Sequence, residues 1–182
     1  MRIALISDIH NEFIRNGHDN LEGIPDIDFG YQHADIIILA GDIDKGIYGI
    51  KWAIKQSEKF NLPVIYIPGN HEYFGCKYPA TVDAMKDLAV GSKVYILDNE
   101  TITIDGIKFI GSTLWTDYAL FGKSKLQKVM QYANSGMNDY QEIRLSSRAG
   151  NPRVTPEDLL RWHQCSVAFI KHALTKPDTN KT

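Results

Sequence analysis

The sequence predicts a mixed α and β fold, in which a parallel sheet with helices packed on it is followed by a second, antiparallel-containing sheet. Three observations carry this. Ile3-Ala4-Leu5-Ile6, Ile36-Ile37-Ile38-Leu39 and Val64-Ile65-Tyr66-Ile67 are short apolar runs bounded by turn residues, the pattern of strands buried on both faces of a parallel sheet. Between the second and third runs, Gly46 to Phe60 spaces Ile47, Ile50 and Ile54 as a helix does, which makes a βαβ unit. From Val94 to Trp115 the period changes: Thr101-Ile102-Thr103-Ile104 alternates, Asp105-Gly106 is a hairpin turn, and Ile107 to Leu114 returns.

The remaining elements follow in order. A helix is expected after Pro79, with Val82, Met85 and Leu88 on one face and Gly91 just past its end. Thr116 to Arg153 is irregular and rich in Ser, Gly and Asn, with one short helix around Leu126, Val129 and Met130; long irregular segments in compact domains are often functional loops. A final helix is signalled by Thr155 as N-cap, Pro156 at its first position and Asp158 three residues after the cap. Its apolar stripe reads Leu160, Val167, Ile170 and Leu174. We therefore expect one domain over residues 1–175 and a polar tail over 176–182.

Composition narrows the function. A chain of 182 residues, 43% of them hydrophobic, can fill one substantial core. A net charge of −2 gives no general attraction to nucleic acid or to an anionic membrane, so nucleic acid is not indicated as a partner. The N-terminal apolar run ends at Asp8, too early for a secretory signal, and no stretch is long enough to span a bilayer. Cys76 and Cys165 are too few for a disulfide framework and lack metal-ligand spacing, which fits a reducing cytoplasm and predicts ordinary burial for both.

Each of the three apolar runs is followed by a chemical motif: Asp8-Ile9-His10, Gly41-Asp42 and Gly69-Asn70-His71-Glu72. Ligands of such sheets bind beyond the carboxyl ends of the strands, so the three motifs are placed to converge. Asp8 and His10, two apart in an extended segment, can present a carboxylate and an imidazole to one ion. Asp42 offers a carboxylate suited to bridging two cations, and the Asn70 amide oxygen is a neutral ligand. Such oxygen and nitrogen donors suit Mn, Fe or Zn ions. Two ions roughly 3.5–4 Å apart can hold a bridging hydroxide and stabilise the entering and leaving oxygens of an in-line displacement at phosphorus. His71 would then be free to protonate the leaving oxygen.

Taken singly, each motif has a plainer reading. Asp-x-His is common, Gly-Asp marks turns, and Gly-Asn-His-Glu could cap a helix; all three in this order, each after a buried strand, favour a site. Gly41 and Gly69 would also serve turns that need positive φ. Glu72 is expected to orient a neighbour or cap the next helix, not to ligate.

On Ser7-Asp8-Ile9-His10-Asn11-Glu12-Phe13, Ala40-Gly41-Asp42 and Pro68-Gly69-Asn70-His71-Glu72, the chain resembles the calcineurin-like metallophosphoesterases of the small bacterial type. Leu114-Trp115-Thr116-Asp117 and Met137-Asn138-Asp139-Tyr140 match more loosely. The resemblance implies an α+β fold, a four-layer α-β-β-α sandwich, with two divalent metal ions: Asp8, His10 and Asp42 on the first, Asp42 and Asn70 on the second, and His71 as the acid. It also implies further metal-binding histidines from a strand end and a Gly-His-x-His loop, and neither is present. His163 and His172, nine positions apart on the last helix, fall on opposite faces and cannot chelate one ion together; His163 is expected at the core edge and His172 in solvent. His18 and His33 have no motif around them and read as solvated loop residues.

The expectation is therefore a fold whose C-terminal part is missing, weak or partial metal occupancy, and an uncovered sheet edge that favours a homo-oligomer. Two functions fit. One is a metal-dependent hydrolase of phosphate mono- or diesters, with the site incomplete in this chain and a phosphate-ester substrate as its partner. The other is a catalytically inactive remnant acting in binding or assembly. A nucleotide-binding module is disfavoured, since no phosphate loop is present and Gly46-Ile47-Tyr48-Gly49 has the wrong glycine spacing. Lys123, Lys125, Lys128, Arg144, Arg148 and Arg153 read as solvated surface.

Overall fold

Four parallel strands and two helices build the layer on which everything else rests. The computed structural model describes residues 1–15, 20–28 and 33–175. His18 and the polar tail lie outside these. In chain order the elements are β1 (Ile3–Ile6), α1 (Asn11–Arg15), β2 (Ile36–Ala40), α2 (Tyr48–Phe60), β3 (Val64–Ile67), β4 (Lys77–Tyr78), α3 (Ala80–Ala89), β5 (Val94–Ile96), β6 (Glu100–Ile104) and β7 (Ile107–Gly111). After them come α4 (Leu126–Gly136), α5 (Asp139–Glu142), β8 (Arg144–Leu145) and α6 (Pro156–Thr175). Short 3₁₀ turns lie at His71–Tyr73 and Lys123–Lys125.

The main sheet has the order β1-β2-β3-β5, with every neighbouring pair parallel. One face packs Ile37, Leu39, Val64 and Tyr66 against α2 and α3 through Trp52, Ala53, Val82 and Met85. The other face carries Ile36 and Ile65, and on it sit Ile102, Ile104 and Phe109 of the β6–β7 hairpin. Asp105 and Gly106, both at positive φ, make the hairpin turn. On the outer side of the hairpin, Lys108 Nζ donates to the Ala173 carbonyl of α6 at 2.7 Å. The layers thus run helices, parallel sheet, hairpin, helix.

Several expectations are corrected. β1 is not buried on both faces: it is the sheet edge, and Ile3 and Leu5 are 49% and 68% exposed because the hairpin packs over β2 and β3. Val94–Ile96 does not belong to the second sheet; it pairs with β3 and closes the parallel one. Leu88 is exposed, the buried face of α3 being Thr81, Val82, Met85 and Ala89. Residues 116–153 are more regular than expected, since they hold α4, α5 and β8, the last paired in parallel with β4. Cys165 is exposed rather than buried.

The α6 cap forms as its sequence directs. Thr155 N–H and Oγ1–H both donate to Asp158 Oδ2 at 3.0 Å, and Asp158 N–H returns a bond to Thr155 Oγ1 at 3.3 Å. The helix settles on Leu159, Ser166 and Ala173, of which the last two are small enough to permit close approach, so the expected stripe is turned aside. Leu160 and Val167 instead line a groove of about 500 Å³ with Leu126 of α4, and Leu174 is exposed.

Burial alone would raise the Asp158 carboxyl, but the Thr155 donors and the Arg148 guanidinium outweigh it and hold the group below the ordinary carboxylate range. A depressed folded value contributes stability that is complete above the unfolded value, near pH 4, and is lost as pH falls through the folded one. Thr155→Ala should cost ~1 kcal/mol. Asp158→Asn should lower the melting temperature at pH 7, with a deficit that shrinks below about pH 4; a deficit independent of pH would mean the charge is not what holds the cap.

Candidate metal centre

The strand ends are joined beyond the sheet by a backbone ladder that fixes the first two motifs. After β1 and β2 diverge, Asp8 N–H donates to the Gly41 carbonyl at 3.0 Å, His10 N–H to Asp42 at 3.0 Å and Asn11 N–H to Ile43 at 2.8 Å. Along this ladder Asp8, His10 and Asp42 all take left-handed backbone angles, with φ of 54°, 53° and 55°. Left-handed angles are costly for residues with a Cβ and are tolerated best by short polar side chains. Three such residues at one place are the mark of a functional constraint. Their effect is to bring ligand atoms of Asp8, His10 and Asp42 within 4.8 Å of one another.

The third motif packs backbone to backbone on the second. Gly41, at φ +90°, leaves room for only 3.1 Å between a Cβ and Gly69 Cα. Gly69 is needed for a different reason from the expected one: its φ is not in the left-handed region, but a Cβ there would overlap Asp42 Oδ1 and lie 2.7 Å from Asp42 N. Asp42 Oδ1 also accepts the His71 N–H at 3.0 Å, so this carboxylate is held between the two loops.

Glu72 is the buried knot beneath them. Its Oε2 accepts N–H bonds from Gly69 at 2.7 Å and Asp42 at 3.1 Å; its Oε1 accepts Ile43 N–H and Tyr66 O–H, each at 2.8 Å. Burial pushes the Glu72 carboxyl up, against the pull of these donors. Tyr66 is raised well above its ordinary value, by burial first and by the neighbouring Glu72 charge. Asn70 heads the 3₁₀ turn without capping it through its side chain. Its amide instead bonds the buried Asp139 carboxylate of α5, which leaves the Asn70 carbonyl oxygen for another partner. Burial raises the Asp139 carboxyl.

Glu12, on α1, carries a role the sequence reading missed. Its Oε1 lies 3.1 Å from His10 Nδ1 and 2.8 Å from His71 Nδ1, so one oxygen joins the two histidines. Burial raises the Glu12 carboxyl, and bonds from His71, its own N–H and His10 overcome that and hold it below the ordinary range. The imidazoles meet edge to face at 4.4 Å, and Phe74 stacks on His71 at 4.3 Å. Helix α1 is pinned in turn by a buried bidentate pair, Arg15 Nε and its terminal nitrogen at 2.8 and 2.9 Å from the two oxygens of Asp44. Family-motif position was the one available signal for Glu12 and Asp139, since neither lies in a periodic pattern.

The other described histidines do not join the cluster. His163 is half-buried and donates Nδ1–H to the Trp115 carbonyl at 2.6 Å, while His33 and His172 are exposed. Of the cations read as solvated surface, Arg148 pairs with Asp158 and Arg153 donates to Gln141.

Two carboxylates and an imidazole, with ligand atoms within 4.8 Å of one another and a buried carboxylate behind the imidazole, fit a divalent cation of the Mn, Fe or Zn kind. The model of the calcineurin-like phosphoesterase family matches residues 1–168, and the chain belongs to that family. It is 30% identical to an uncharacterized protein, L509, of Acanthamoeba polyphaga mimivirus, over 96% of this chain and 63% of the relative. Its fold is similar to that of the phosphopantetheinyl hydrolase PptH from Mycobacterium tuberculosis, with a TM-score of 0.63 and 17% identity over 97% of this chain and 64% of that one. The chain thus spans somewhat under two thirds of the length of each. The α+β sandwich expected from the motifs is the fold observed.

The contact between Gly41, Gly69 and Asp42 makes a direct prediction. Gly69→Ala should destabilise the protein by about 1–3 kcal/mol, as an overpacked site does. It should also weaken Mn²⁺ binding, because Asp42 must move to admit the methyl. Thermal unfolding and calorimetric titration would check both; an unchanged isotherm would mean that Asp42 keeps its place.

Proposed function

We propose that this chain is a metal-dependent phosphoesterase acting on phosphate mono- or diesters, as a single domain over residues 1–175. The observation that carries the reading is the convergence of Asp8, His10 and Asp42 at strained backbone positions on adjacent strand ends. Asp8, His10 and Asp42 would hold one divalent cation, and Asp42 with the Asn70 amide oxygen a second. When bound, such ions supply the activated nucleophile and the charge stabilisation of an in-line displacement at phosphorus. The chain's own residues do the rest: His71 protonates the leaving oxygen, Glu72 and Asp139 hold Asp42 and Asn70 in place, and Phe74 fixes the His71 ring.

Four protein ligands for two ions are few, and none of the other described histidines reaches them. The site in this chain is therefore incomplete and should bind metal weakly or in part. The open β1 edge with exposed Ile3 and Leu5 supports self-association as a homo-oligomer. No helix among the described residues is long and apolar enough to cross a membrane. Two free cysteines support a cytoplasmic setting.

Two measurements test the reading. In any form of the protein that turns over, His71→Asn should lower the rate roughly 10²–10⁴-fold with metal content unchanged, and the defect should shrink on nitrophenyl esters, whose leaving groups need little protonation. Equal defects across leaving groups, or loss of metal, would reject the acid role. Asp42→Asn should weaken Mn²⁺ at both positions in a calorimetric titration, and an isotherm like that of the wild type would reject the bridge. A panel of phosphomonoesters and diesters with added Mn²⁺ then defines the substrate class.

A further inference from the structure

Taking His10 as a ligand and His71 as the acid, we propose that Glu12 is the positioning residue that locks both imidazoles in one tautomer, Nδ1 protonated and Nε2 free. A single atom, Glu12 Oε1, faces the Nδ1 atoms of His10 and His71 at 3.1 and 2.8 Å. An ionised carboxylate only accepts, so each of these contacts requires the ring nitrogen to be the donor. With Nδ1–H engaged, a neutral imidazole has its lone pair on Nε2. That one choice makes His10 Nε2 the ligand atom and His71 Nε2 the atom that carries and releases a proton.

The placement of Glu12 is rigid. Its side chain is 6% exposed, its helix is held by the Arg15–Asp44 pair, and its other oxygen has no hydrogen-bond partner among the described residues. The bonds its side chain makes to other described residues go to the two imidazoles, both through Oε1. The rings have little freedom to turn away: they touch each other edge to face, Phe74 covers His71, and Phe13 lies 5.6 Å from His10. A carboxylate behind a metal-ligating histidine fixes its tautomer and raises its basicity. Here the same oxygen serves the ligand and the acid, so the two cannot be oriented independently.

The test is read on the full chain, stripped of metal by chelation and labelled with ¹⁵N in its histidines. At a pH where both imidazoles are neutral, long-range ¹H–¹⁵N spectra should place the proton of His10 and of His71 on Nδ1. A proton on Nε2 of either ring would overturn the proposal. In Glu12→Met, a substitution close in shape and without an acceptor, at least one ring should move to the Nε2–H form, and Mn²⁺ affinity should fall about 10–100-fold. Unchanged tautomers and affinity in that variant would overturn it equally. Should Glu12→Met not fold, the wild-type tautomers alone decide. None of these readouts depends on turnover, so a chain that hydrolysed no ester in the panel would refute the phosphoesterase reading while leaving Glu12 to be judged on its own spectra.

Discussion

The carboxylate of Glu72 is the contact on which the site depends. Fully buried, it would be costly if left alone. It is stabilised by four donors drawn from three places in the chain: the Asp42 and Ile43 amides after β2, the Gly69 amide after β3, and the Tyr66 hydroxyl within β3. Those same amides belong to the loops that carry the candidate ligands. Because parallel strands diverge at their ends and leave unpaired backbone groups, something must satisfy the N–H groups there. A single carboxylate does so, and in doing so sets the distance between the Gly-Asp and Gly-Asn-His-Glu turns. Gly69 then follows as a necessity, since the loops are drawn together too closely for a Cβ.

Around this knot, buried carboxylates play four separate parts. Glu72 joins backbone to backbone, Glu12 joins imidazole to imidazole, Asp139 holds the Asn70 amide, and Asp44 anchors the helix that brings Glu12. Asp8 and Asp42 stand apart from these, with carboxylate oxygens within 4.8 Å of each other and of a His10 ring nitrogen. The candidate site is thus a few candidate ligands resting on buried acids that hold the backbone, a helix and the neighbouring side chains in place. The β4–β8 pairing and the Gly75 to Glu142 hydrogen bond serve the same end, since they fasten α5 to the segment that follows His71.

Much of this was legible in the sequence, for a physical reason. Buried parallel strands must be apolar throughout, so β2 and β3 announce themselves, and the motifs at their ends are local in the chain. The α6 cap was equally readable because Thr155 and Asp158 are three residues apart. Glu12 was not, because its partner His71 lies 59 positions away and no periodicity links them. Asp139 was hidden for the same reason within a stretch that looked irregular. The exposure of β1 was missed because an edge strand with apolar residues reads like a central one; only the extent of the hairpin decides which strand is covered.

The left-handed backbone at Asp8, His10 and Asp42 bears on how such a chain would age. Each of these residues costs the folded state of order 1 kcal/mol or more relative to a relaxed conformation. Glycine would occupy the same angles without that penalty, and a protein released from selection for chemistry is free to drift toward the more stable choice. Three such side chains on two adjacent turns therefore place a folding cost where a cation would bind.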